Sequence, residues 1–180
     1  ANKSPEALLY LSFVHMTEWA YQPARDLLND YVILREGHLY QSLIGKINLC
    51  SCDIFLKQEA AAMQLLTEVE VLAKKNNFGL IQNHCRELKA QALLGLKDYQ
   101  GAQEMLEQFN AIQVTQQHQR TQFYWKWKGL LLTAQNKSEG LEYLQKARKI
   151  ALDEVDYETV RDCDFQIGLF NNDEKLLWKA

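Results

Sequence analysis

Chain punctuation is what this sequence has least of: its 180 residues include two prolines and eight glycines. A sheet-rich chain needs more turn residues than that. No Asn-Gly or Asp-Gly hairpin turn occurs, no apolar–polar alternation is sustained, and no run is dense in Val, Ile and Thr. Strands are therefore not expected. The four cysteines, Cys50, Cys52, Cys85 and Cys163, form no CxxC pair. Cys50 and Cys52 would point about 200° apart on a helix, so a shared metal is not expected there, and reduced thiols in a cytoplasmic setting are.

Long apolar runs are also missing. No window approaches the roughly 20 residues of a membrane span, and no basic segment leads into a signal-like apolar one, so no membrane partner is expected. Charge of one sign is absent too, with 20 Lys and Arg against 23 Asp and Glu. That balance gives a polyanion no general attraction, and direct nucleic-acid binding is not expected. Lys126 with Lys128, and Lys146, Arg148 and Lys149, are read as solvated helix faces.

Catalytic signatures are lacking as well. No Gly-rich phosphate loop, HExxH, GxSxG or EF-hand pattern is present. His15, His38, His84 and His118 are scattered, and His84 and Cys85 point apart on a helix. Asp153, Glu154, Asp156 and Glu158 cluster where one helix ends and the next begins, which the helix dipole and solvation explain. The expectation is a protein that is not an enzyme and needs no metal or cofactor.

What the chain has is helical periodicity. Forty-seven percent of residues are hydrophobic, enough for a core without staples. Ser4-Pro5-Glu6 reads as a helix start with Ser4 as the cap. The helix it opens reaches about Ala20. Pro23 restarts a helix that Gly37 ends as a C-cap. The chain then reads as pairs at about 4–36, 38–76, 79–112 and 117–153, with Gln113 to Gln119 a polar separator and Ser138 a cap. An incomplete fifth pair spans 156–180, its last piece too short for a full second helix.

A repeat ties these pairs together. Ala24 and Leu28, Ala62 and Leu66, Ala102 and Leu106, and Gly140 and Leu144 align at steps of 38, 40 and 38. Six residues on stand Leu34, Leu72, Ile112 and Ile150, which extend the stripe. Twelve residues before the small anchor stand Ser12, Cys50, Ala90 and Lys128, three of them small enough for a close helix crossing. In the fourth repeat Lys128 breaks the pattern, with Gly129 beside it.

The segment KDYQGAQEML, with Asp98, Tyr99 and Ala102, resembles the turn and second helix of the tetratricopeptide repeat (TPR), and LEYLQKA from Leu141 resembles the same helix. The period exceeds that family's 34 residues and no proline follows the second helices. The resemblance implies an all-α, right-handed superhelical stack of antiparallel helix pairs with about nine helices. A second likeness is to the TPR-like sensor domains of large bacterial transcription regulators, which makes an effector-sensing domain of a larger protein the alternative function.

TPR-like arrays bind protein or peptide partners on the concave surface of their first helices. Carried over by register, that surface is Leu9 and Phe13, Ile47 and Ser51, Glu87 and Gln91, then Trp125 and Gly129, flanked by His84 and Gln122. The same register turns Tyr124 and Trp127 toward the partner helix and Trp125 toward the groove. An exposed Trp125 would be the natural hot spot. The open ends of the stack could also pair copies into a homo-oligomer.

Overall fold

A computed structural model describes the backbone of residues 4–116 and 121–179 and the side chains of residues 4–109 and 121–177. Among the described residues there are ten α-helices and no strand. The chain divides into two compact units, Ala1–Asp98 and Tyr99–Ala180. The first holds α1 (Pro5–Thr17), α2 (Tyr21–Leu34), α3 (Leu39–Phe55), α4 (Glu59–Lys75) and α5 (Gly79–Gly95). The second holds α6 (Tyr99–Gln116), α7 (Thr121–Ala134), α8 (Glu139–Asp153), α9 (Tyr157–Asn171) and the short α10 (Glu174–Lys179). α6 runs on through Gln113 to Gln116, where a polar separator was expected, while His118 falls outside the described residues.

Seven of the described helix ends share one device. Trp19, Lys57, Asn77, Lys97, Asn136, Val155 and Asn172 have φ between 55° and 63°. At each, this residue's N–H bonds to the carbonyl three residues back, and the next residue's N–H to the carbonyl five back. Examples are Val155 to Leu152 and Asp156 to Ala151 at 3.3 and 2.8 Å. This is the Schellman closure, which satisfies the last carbonyls and reverses the chain within a few residues. Gly37 does not take part. No glycine has positive φ, and α2 ends at Leu34 in a turn where His38 donates to the Arg35 carbonyl. Ser4 and Ser138 make no side-chain cap; Ser4 donates instead to Glu6. Asp156 does cap, accepting from the Thr159 N–H at 3.1 Å.

The second helices carry the stripe that the repeat predicts. Ala24, Leu28, Ala62, Leu66, Ala102, Leu106 and Leu144 are all buried, as is Gly140. Each buried Leu contributes about 1.5–3 kcal/mol. Farther along, the stripe departs from the expected column: Leu34 is half exposed, while Ala73 and Ala151, one residue past that column, are fully buried. The cause is helix arithmetic, since eleven residues complete about three turns and ten fall some 80° short. The side chain of Ile112 lies outside the described residues.

In the first helices the small crossing residues are Ser12, Cys50, Ala90, Gly129 and Gly168, all buried. The fourth is Gly129 and not Lys128. A Cβ on Gly129 would lie 2.7 Å from the Leu144 side chain and 2.9 Å from the Gly140 carbonyl, so α7 and α8 touch backbone to backbone. A Cβ on Gly168 would meet Leu177 of α10 at 3.1 Å. α10 thus packs on α9 as a second helix packs on its first.

Within each unit, consecutive helices pack on one another. Second helices are also tied to the next first helix by partly buried ion pairs. Arg25 bonds to Asp53 at 2.5 Å, Lys89 to Glu70 at 2.5 Å, and Arg148 grips both oxygens of Asp164 at 2.5 and 3.1 Å. Such pairs fix orientation between elements more than they add stability.

Candidate functional site

Counting from the crossing residue sorts the faces of each first helix. The position three before it faces the following first helix. Ile47 is there, 6 % exposed, in a cluster with residues of α4 and α5. Leu9, at the same position of α1, packs on Ala24, Leu28, Leu49 and Cys52. Ile47 therefore does not line an open face, although it was expected in the groove, while Leu9 is half-buried. Glu87 is half buried and accepts from Gln91 at 3.4 Å; Gln91 is buried. Phe13 is exposed, and Ser51 and His84 are half-buried.

In the second unit the one-residue shift at the crossing turns the expected face away. Trp125 stacks on Tyr143 of the partner helix α8, with centroids 5.5 Å apart and planes within 4°. The Lys146 ammonium sits 3.5 Å from its ring centre. Trp125 therefore belongs to the α7/α8 seam, and Gly129 is buried in the same seam. Tyr124 is buried and meets Trp125 edge-on at 4.8 Å.

The residue that the sequence did not single out is Lys126. Its neighbours suggested a solvated face, yet it is 6 % exposed and donates to Asp162 of α9 at 2.9 Å. Its ammonium also lies 4.6 Å from the Trp127 ring centre and 5.5 Å from that of Phe123. A cation held between a carboxylate and two π faces is strongly placed. One turn earlier on α7, Gln122 donates to Asp156 of α9 at 3.4 Å. Burial alone would raise the Asp156 carboxyl, but bonds from Thr159 and Gln122 outweigh it and hold the carboxyl below its usual range.

Two buried amides share one register position, seven residues before the crossing: Asn83 in α5 and Gln122 in α7. They are 8 % and 4 % exposed, and the side-chain oxygen of each is buried with no hydrogen-bond partner. An unsatisfied buried acceptor costs about 1–3 kcal/mol.

Nucleophilic chemistry has no support in the thiols. Cys50, Cys52, Cys85 and Cys163 are free and fully buried. Burial pushes Cys52, Cys85 and Cys163 up to about 12 and Cys50 higher still, the opposite of an activated nucleophile. Among the described residues no cluster could hold a metal ion, and no helix is long and apolar enough to cross a membrane.

No family model matches the sequence, and no curated protein does. Solved structures do resemble the fold. One is a kinesin light chain-like protein of Podosopora anserina with nearly identical TPR-like repeats, at 17% identity and a TM-score of 0.62 over 98% of this chain and 92% of that one. A single-substitution variant of that protein matches at the same identity and TM-score over 99% and 93%. With its αL-closed helix pairs and a buried small–Leu stripe in each second helix, the chain has the tetratricopeptide-like helical-repeat fold.

Proposed function

We propose that this chain is a protein–protein interaction module of the cytoplasm, not an enzyme, and that the first helices of its units accept an extended peptide segment. The fold supports a recognition role, since TPR-like repeats present helix faces and not a reaction centre. The observation that carries the reading is the pair of buried amide oxygens on Asn83 and Gln122. Each is an acceptor without a donor, Asn83 in the first unit and Gln122 in the second. A peptide N–H supplies the missing donor once the amide side chain turns outward, and the amide can then both accept from the peptide and donate to it. In the second unit the half-buried Phe123 and Trp127 supply apolar neighbours that would read side chains.

Selection from a displayed random-peptide library, followed by titration of the enriched peptides, tests this. Peptides should be enriched, and Asn83→Ala and Gln122→Ala should each weaken them about tenfold, the equivalent of one lost hydrogen bond to a buried group. Asn83→Ala removes an unsatisfied acceptor and should fold as well as the parent; Gln122→Ala also loses its hydrogen bond to Asp156, so its binding is compared at matched circular dichroism. If no peptide is enriched, or if binding ignores both substitutions, the reading fails.

A further inference from the structure

The α7/α8 seam gathers two cations that the peptide reading does not use. The Lys146 ammonium lies 3.5 Å from the Trp125 ring centre, and the Lys128 ammonium 5.9 Å from the same point. Lys128 is also 4.8 Å from the Tyr143 ring centre and 3.5 Å from the Tyr124 hydroxyl. Trp125, Tyr143 and Lys128 are half-buried and Lys146 is exposed, so solvent reaches the group.

Among the described residues neither ammonium is paired with a carboxylate. Glu142, one turn before Lys146, is exposed and makes no ion pair with it. The repeat shows what is missing. Lys89 of α5 holds the place of Lys128, one residue before the crossing, and bonds to Glu70, four residues after Leu66. Four residues after Leu106 stands Asn110, which carries no charge. At the place of Lys146, two residues after the stripe leucine, the other second helices have Asp30, Glu68 and Gln108. The fourth repeat therefore sets two cations against stacked rings with no acid to balance them. Aromatic faces hold an ammonium in place but leave its charge uncancelled.

We propose that this seam binds a phosphorylated side chain of a partner polypeptide, with the phosphate held between the Lys128 and Lys146 ammoniums. Charge sets the match. A phosphate monoester carries close to two negative charges near neutral pH on one compact group with three acceptor oxygens, whereas a carboxylate carries one. Lysine meets phosphate as a point charge on a flexible stem, so both ammoniums can close on one group. A nucleotide fits less well, because a base would have to displace Tyr143 or Lys146 from the Trp125 ring. The net charge of −3 also gives a longer polyanion no wider attraction. The seam shares no residue with the Asn83 and Gln122 amides, and the proposal stands apart from the peptide reading above.

The test follows the Trp125 indole N–H in proton–nitrogen correlation spectra of the whole chain, assigned with Trp125→Phe, as acetyl-Gly-phosphoserine-Gly-amide is added. The resonance should shift saturably, and the unphosphorylated peptide should leave it in place. Lys128→Gln and Lys146→Gln should each weaken binding about tenfold, the equivalent of one charge-assisted bond. Lys137→Gln, the same charge change on an exposed lysine at the α7/α8 joint, should leave binding unchanged. Circular dichroism reads the fold of each variant, and Lys146→Gln, on the exposed side chain, decides if Lys128→Gln disturbs it. Absence of a shift, or equal losses in all three lysine variants, overturns the proposal. So does equally tight binding of acetyl-Gly-Glu-Gly-amide, which would make the ligand a carboxylate, or of inorganic phosphate alone, which would make it a free anion.

Discussion

Replacing Gly129 with alanine sets two opposed effects against each other. Inside a helix the change is favourable by about 1 kcal/mol, because alanine restricts the unfolded chain and is the better helix former. At this crossing, however, the new Cβ would lie 2.7 Å from Leu144 Cγ, 2.9 Å from the Gly140 carbonyl oxygen and 3.0 Å from the Leu144 nitrogen. Two of those atoms are backbone of the buried second helix, so a rotamer change cannot clear them, and α7 and α8 must separate. Overpacking of this kind costs about 1–3 kcal/mol, and the lost contacts along the seam add to it. We expect Gly129→Ala to be destabilising by about 1–2 kcal/mol net. Gly95→Ala is the matched control. The three atoms nearest its Cβ would all belong to the Glu59 side chain, which can shift by rotamer where a backbone cannot, so more of the helix-propensity gain should survive. Thermal and urea unfolding followed by circular dichroism at 222 nm would read both. A Gly129→Ala protein as stable as the parent, or more stable, would refute the backbone-contact crossing.

Further outcomes follow from the helix ends. Val155 holds φ 60° at a solvent-exposed joint, a conformation that costs a β-branched residue about 1–2 kcal/mol. Asparagine occupies the equivalent place at Asn77, Asn136 and Asn172, so Val155→Asn should raise the melting midpoint by a few degrees, and a lowered midpoint would contradict the assigned closure. Asp156→Ala should cost about 1 kcal/mol near neutral pH through loss of the α9 cap. The folded carboxyl lies below its unfolded value, so its contribution is full above the unfolded pKa of about 4 and is lost as the pH falls through the folded pKa. Denaturation curves of parent and variant should therefore converge in acid, and a gap that persists there would disprove the ionic cap.

How far the sequence revealed this protein depended on whether a feature was periodic. The small–Leu anchors of the second helices were legible because burial on both sides admits little else at Ala24, Ala62, Ala102 and Gly140. Which way a particular first-helix side chain points was not, because one residue of slip rotates a helix by about 100°. Aligning Lys128 with the crossing residues, where Gly129 belongs, made that slip in α7 and turned Trp125 from the α8 seam into the groove. The adjacent glycine was the available signal. Lys126 was hidden for another reason: its carboxylate, Asp162, lies on α9, 36 residues away. Local composition reports a lysine as solvated, and only tertiary packing supplies the partner that lets it be buried.

The scarcity of glycine also acquires a physical meaning. Helical repeats commonly place glycine at the left-handed closing residue, yet among the described residues the seven such joints use Trp, Lys, Asn or Val, and no glycine has positive φ. Gly129 and Gly140 instead face each other across the α7/α8 crossing, and Gly45 lies under Tyr31 and Val32. A joint of this type tolerates a Cβ at a cost of roughly 1 kcal/mol, whereas a crossing with backbone at under 3 Å tolerates none without moving a helix. Glycine at these close contacts keeps the α7/α8 and α2/α3 packing tight, while the Schellman hydrogen bonds hold the joints against their local strain. Short joints hold a helix and its turn to roughly twenty residues, and two such helices make the 38 to 40 residue repeat without a proline to end it.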